Sequence, residues 1–290
     1  EAFKKYIELI PDDPNPYDSY AELLMKMGRF DESIAQYRKA LEQNPQFPPS
    51  YIGIAVNLMF QGKYDASRAE SGKLYAGARN DGEKRASMFQ NTVSYIEERK
   101  FPQALAELDK QYALGEATND AAGMAGDAVS MGNVLLETGK PAAALEKYEQ
   151  AVQVTQASDL DAQIKENSKV LHRYNAARVA LASKDLATAK WEGETFMQAS
   201  QASQNPFQIR LGHEVAGMIA LDEKNYDAAL THLAQANQQD PYNLYRQGLA
   251  YQAKGDGAKA KEMFKRAVEF NQLPTLNSAF VRAKAGKPKV

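Results

Sequence analysis

The sequence predicts an all-α fold, a solenoid of antiparallel helix hairpins, on three observations. Apolar residues recur at helical spacing along nearly the whole chain, as in Tyr17, Tyr20, Ala21 and Leu24 and again in Ile34, Tyr37, Ala40 and Leu41, which is the stripe of an amphipathic helix. The pattern then returns. Tyr17 falls on Tyr51, Leu24 on Leu58, Gly28 on Gly62, Phe30 on Tyr64 and Asp31 on Asp65, each pair 34 residues apart. Lastly, no segment alternates as a half-buried strand would.

Each unit reads as a hairpin. Between its two stripes the first unit carries "KMGRFDES", where Gly28 suits the left-handed residue that ends one helix and Asp31 the cap of the next. Helix, Gly, a basic residue, an aromatic, a capping residue, helix and Pro at this period resemble the tetratricopeptide repeat. That family's pattern has large residues at the fourth and eleventh places and small ones at the eighth, twentieth and twenty-seventh. An aromatic takes the twenty-fourth place and Pro the thirty-second. Here those places hold Tyr17, Leu24, Ala21, Ser33, Ala40, Tyr37 and Pro45. Small residues at the crossings let helix axes approach to about 8–10 Å, and the large ones fill the remaining space.

In this frame residues 1–290 form one array, a right-handed superhelix by resemblance. Residues 1–13 match the second helix of a repeat that lacks its first, with Phe3 at the aromatic place and Pro11 lying 34 residues before Pro45. Glu1 is therefore expected to lie inside a longer array, and the face of Phe3, Tyr6 and Ile7 to lack part of its partner. Repeats one to three occupy 14–118, starting near Pro14, Pro48 and Arg85. Repeats four to seven occupy 119–272, starting near Ala125, Val170, Arg210 and Pro241. The middle spacings exceed 34, so "GEATNDAAG" and "TQASDLDAQIKENSKV" read as helix extensions around polar turns. Residues 273–290 form a capping helix over the seventh hairpin and a basic tail of Arg282, Lys284, Lys287 and Lys289, read as a solvated face.

Composition narrows the function. With 35 basic against 37 acidic residues and a net charge of -2, nothing global favours nucleic acid or an anionic membrane. No apolar run approaches the ~18 residues of a membrane span. Cysteine is absent, which removes disulfides and thiolate chemistry and leaves cytoplasmic and periplasmic locations both open. The three histidines are scattered. "HEVAG" at His213 begins a zinc-protease motif whose second histidine is replaced by Gly217, and His172 and His232 are isolated in sequence. Neighbouring carboxylates such as Glu97 and Glu98 diverge on a helix, and the glycines make no phosphate loop. Trp191 reads as core. The expectation is no enzyme, no cofactor and no metal.

By resemblance, the second, fifth, ninth and twelfth places of each first helix face a concave binding wall. In repeats two and three these include Ile52, Val56, Met59, Phe89, Val93 and Ile96, an apolar stripe that is either an open interaction surface or buried by longer neighbouring helices. Further on the wall turns polar, with Asn133, Asn175, Arg178, Glu214 and Arg246, suited to the backbone and carboxylates of a peptide. The repeat subgroup that binds chaperone tails clamps a terminal carboxylate with inner lysines and asparagines, but the first repeat here offers Asp18 and Glu22. The preferred function is a scaffold binding a peptide or helix of a partner protein, of unknown identity, in this groove. Two alternatives stand beside it: the recruiting or sensor arm of a larger enzyme or regulator preceding Glu1, and a structural protein that self-associates through its N-terminal face.

Overall fold

The computed structural model describes residues 1–273 and 275–285. The expected Lys287 and Lys289 of the basic tail lie outside these. Among the described residues there are sixteen helices and no strand. Helix α1 spans Ala2–Leu9. Seven hairpins follow: α2 (Pro14–Lys26) with α3 (Phe30–Gln43), α4 (Pro48–Phe60) with α5 (Tyr64–Ala76), α6 (Asp81–Glu97) with α7 (Phe101–Thr118), α8 (Ala121–Glu137) with α9 (Pro141–Ala157), α10 (Ala162–Ala182) with α11 (Leu186–Ala202), α12 (Pro206–Asp222) with α13 (Tyr226–Gln235), and α14 (Pro241–Ala253) with α15 (Gly257–Val268). Helix α16 (Leu276–Ala285) ends the described chain. The middle helices are the long ones, with 17 residues in α8 and 21 in α10 against 13 in α2.

Local chemistry sets the boundaries. Proline opens α2, α4, α9, α12 and α14, where its missing N–H removes no helix bond. Asp13, Asp120, Asn205 and Asp240 cap the backbone of the following turn. The turn inside each hairpin needs one residue in the left-handed region. Gly28, Gly62, Gly139 and Gly255 take it at φ 74–82°, whereas Arg99, Lys184 and Lys224 occupy the same turn in three middle hairpins at φ 61–64°, a conformation that disfavours a Cβ.

The eighth place of each hairpin meets the twenty-fourth. A Cβ on Gly132 would lie 2.5 Å from the Tyr148 ring, one on Gly217 2.7 Å from Leu233, and one on Gly248 2.6 Å from the Phe264 ring. Ala21 and Tyr37 meet likewise in one cluster. At the twentieth place Ser33 and Ser67 donate their hydroxyls to the carbonyls of Ala21 and Ala55, both at 2.7 Å, so the repeat recurs down to single hydrogen bonds.

Contacts gather the chain into two compact units, one of Glu1–Lys110 with Glu269–Ala279, the other beginning at Gln111 and running to Val268, with Phe280 onward. In the first, Val56, Met59, Val93 and Ile96 are buried, and Ile52 and Phe89 are half-buried. The stripe of repeats two and three is core, not an open wall. Gln90 and Asn57 are buried beside it, Gln90 donating to the Met59 sulfur and Asn57 to the Gly53 carbonyl. In the second unit, Trp191 is 58% exposed with Arg173 stacked on its ring at 5.4 Å, so it is surface where the sequence placed it in the core. Phe196 on the same helix is fully buried.

Candidate functional site

The first helices of hairpins four to seven, all in the second unit, carry a continuous ledge of polar side chains. On α8, Asn133 accepts from the Tyr148 hydroxyl at 2.9 Å and from Arg178 Nη1 at 2.9 Å. On α10, Asn175 accepts from the same Nη1 at 3.2 Å, and the guanidinium stands 5.2 Å from the Tyr174 ring. Glu214 on α12 is 2% exposed and is the hub of the next tier. It accepts from the Tyr174 hydroxyl at 2.9 Å, from Asn243 at 3.1 Å and from Arg246 at 2.9 Å. Arg246 also lies over the Tyr242 ring at 4.1 Å. Burial opposes the Glu214 charge, but Arg246, Arg178 and the donors from Tyr174 and Asn243 outweigh it and hold its pKa below the ordinary glutamate value.

Helix α16 completes the site from the C-terminal side. Lys284 reaches Glu137 on α8 at 2.6 Å and the Tyr242 hydroxyl on α14 at 2.6 Å, and that hydroxyl donates to Glu137 at 2.8 Å. The basic tail read as a solvated face is thus anchored at Lys284, and Phe280 and Val281 beside it are buried.

These helices enclose a cavity of about 450 Å³. Asn133, Leu136 and Glu137 line it from α8, Arg178 and Leu181 from α10, Met218, Leu221 and Asp222 from α12, Tyr242, Tyr245, Arg246 and Leu249 from α14, and Phe280 and Lys284 from α16. An apolar floor with a few convergent polar groups, at this volume, is the usual make-up of a ligand site. Of the ten groove residues expected from sequence, Asn133, Arg178 and Arg246 line this cavity, and Asn175 is buried while accepting from Arg178. The other six belong to the first unit, with Val56, Met59, Val93 and Ile96 in its core. Tyr174, Glu137, Tyr242 and Lys284 were missed, although Tyr174 and Tyr242 stand at fifth and second places, which the repeat frame assigns to the wall.

The histidines also differ from their reading as isolated groups. His213 on α12 and His232 on α13 bring their Nδ1 atoms to 3.2 Å. Burial, and then the His232 charge, push the His213 pKa below its ordinary value. Among the described residues there is no group of three or more His, Cys, Asp and Glu side chains placed to hold a metal, and no helix long and apolar enough to cross a membrane.

Two segments match models of the tetratricopeptide repeat, residues 14–47 and 241–272, which are the first and seventh hairpins. A search of curated proteins finds no match. Among solved structures, the apo form of RapI is similar with a TM-score of 0.58 at 11% identity, over 89% of this chain and 97% of that one. A tetratricopeptide repeat protein from Parabacteroides merdae gives 0.52 at 11%, over 88% and 91%. A signal transduction ATPase with a tetratricopeptide repeat sensor, from Pyrococcus horikoshii, gives 0.57 at 13%, over 91% of this chain and 43% of that one. At such identities the likeness carries the fold alone. With seven hairpins in the repeat's register and the first and last of them matched by its models, the chain is a tetratricopeptide repeat protein.

Proposed function

We propose that this chain is a non-enzymatic interaction scaffold that takes a segment of a partner protein on the first-helix face of its second unit. Tetratricopeptide repeat proteins generally bind proteins and peptides, and the cavity among α8, α10, α12, α14 and α16 is the observation that carries the reading to this face. Its residues come from four successive hairpins, so one bound segment contacts all four. The ledge beneath is already hydrogen-bonded, so little ordering remains to be done when a ligand arrives. Leu249 is 37% exposed on the cavity wall and offers apolar surface to such a segment.

The test is a selection of peptides from a random display library on the intact chain. Enriched peptides should lose affinity about tenfold or more on Leu249→Asp and keep it on Trp191→Ala, whose side chain lies on α11 away from the cavity. A tenfold loss corresponds to about 1.4 kcal/mol, the scale of one buried apolar contact. Peptides that ignore Leu249→Asp, or no enrichment at all, would remove this face as the binding surface.

A further inference from the structure

The charges around the cavity are not all paired with one another. Glu137 is answered by Lys284 at 2.6 Å, Asp222 by Lys184 at 2.9 Å and Glu214 by Arg246 at 2.9 Å. Arg178 is left over. Its contacts are the neutral amides of Asn133 and Asn175, the Tyr148 hydroxyl and the face of Tyr174, and among the described residues no carboxylate lies within ion-pair distance of it. Glu214, the acid whose field reaches Arg178, already accepts from Tyr174, Asn243 and Arg246. One buried carboxylate therefore faces two guanidiniums, and only Arg246 is paired with it.

An unpaired charge is costly where water is scarce unless an anion meets it. Both amide bonds run through Nη1, and the Nε–Nη2 edge of a guanidinium is the one that pairs with a carboxylate in bidentate geometry. An apolar strip runs along the wall, with Leu136, Leu181 and Leu221 at the same place of three successive hairpins.

We propose that this cavity binds a monocarboxylate with an apolar body, its carboxylate on Arg178 and its body along Leu136, Leu181 and Leu221. Two sources supply that chemistry: a free apolar carboxylic acid, and an acidic side chain on a partner peptide. The inference deepens the reading above, since it names the ligand chemistry of the same face.

Calorimetry on the intact chain with octanoate, and with octanol as the uncharged partner of equal length, tests it beside the selected peptides. Octanoate should bind saturably and octanol about tenfold more weakly, because a charge-assisted pair is lost. Arg178→Gln should abolish that preference, Arg178→Lys should restore part of it, and Arg173→Gln, away from the cavity, should leave it intact. If octanoate fails but selected peptides need an Asp or Glu that Arg178→Gln makes irrelevant, the source is a peptide and the carboxylate assignment stands. Octanoate binding with no peptide enrichment keeps the assignment and removes the partner-segment reading. Ligands of either kind that depend on Leu249 but bind Arg178→Gln and the parent alike, octanoate and octanol that bind equally well, or a failure of both octanoate and acidic peptides to bind, overturn it.

Discussion

Replacing Glu214 by alanine should destabilise the second unit far more than removing any surface acid. The carboxylate is 2% exposed and accepts from three donors. Its loss strands Arg246 with the Asn243 side-chain Oδ1 at 3.0 Å and the Tyr242 ring as its remaining partners, and it leaves Arg178 without a nearby counter-charge. Breaking a buried pair by removing one partner costs about 3–5 kcal/mol. The Tyr174 hydroxyl loses its acceptor as well, while Asn243 keeps a bond to the Asn237 carbonyl at 3.2 Å, so about 4 kcal/mol is the working figure. Adding Arg246→Met removes the stranded charge, and the double variant should be more stable than the summed single effects by about 2 kcal/mol or more. The measurement is urea unfolding followed by circular dichroism, with hydrogen exchange on α12 and α14 to localise the loss, because repeat arrays can open in part. A cost below about 1 kcal/mol, the scale of an exposed pair, or strict additivity in the double variant, would refute the hub role. The charge has a pH signature as well. Its folded pKa lies below the ordinary 4.5, so the contribution is complete above pH 4.5 and is lost as pH falls through the folded value.

Three further outcomes follow from other parts of the chain. The His213 pKa is depressed, so the unfolded chain takes up a proton near the ordinary 6.5 before the folded one does; stability should fall as pH drops below 6.5 and level off under the folded pKa, and His232→Gln, which removes the smaller of the two causes and leaves burial in place, should lessen that fall without abolishing it in a melting profile taken between about pH 5 and 8. Lys224 sits at φ 61° in a turn that four other hairpins close with glycine, so Lys224→Gly should stabilise by about 1 kcal/mol, read as a rise in the urea midpoint with unchanged slope. Val93 is fully buried, so Val93→Asp should unfold much of the first unit, at about 3 kcal/mol or more; a folded variant with native helicity would return the stripe to the surface.

Much of the fold can be read from the sequence because a solenoid is built from local rules. Gly132, Gly217 and Gly248 are at the eighth place for the reason the sequence implies, a large side chain crossing over them. The cavity is legible in the same register: Asn133, Arg178, Met218 and Leu249 are the ninth places of hairpins four to seven, and Leu136, Leu181 and Leu221 are twelfth places. Register says which way a side chain points, however, and not what lies over it. Val56 and Val93 share that logic and are core, because burial depends on packing that a repeat frame leaves unstated. The His213–His232 pair is hidden for a similar reason. Its members stand on opposite helices of one hairpin, and 19 residues of separation signal nothing until the hairpin closes. Lys284 belonged to a run of tail cations, and only the placing of α16 gives it Glu137.

That placing bears on how the protein is made. Hairpins rest on contacts between near neighbours in sequence and can form as each leaves the ribosome. The bond from Tyr242 to Glu137 joins residues 105 apart, and Lys284 must arrive later still to join them. During synthesis the cavity thus stands for a time without its last wall, with Tyr242, Leu249 and Arg178 open to any chaperone or early ligand. Emergence of α16 is the event that ends that period.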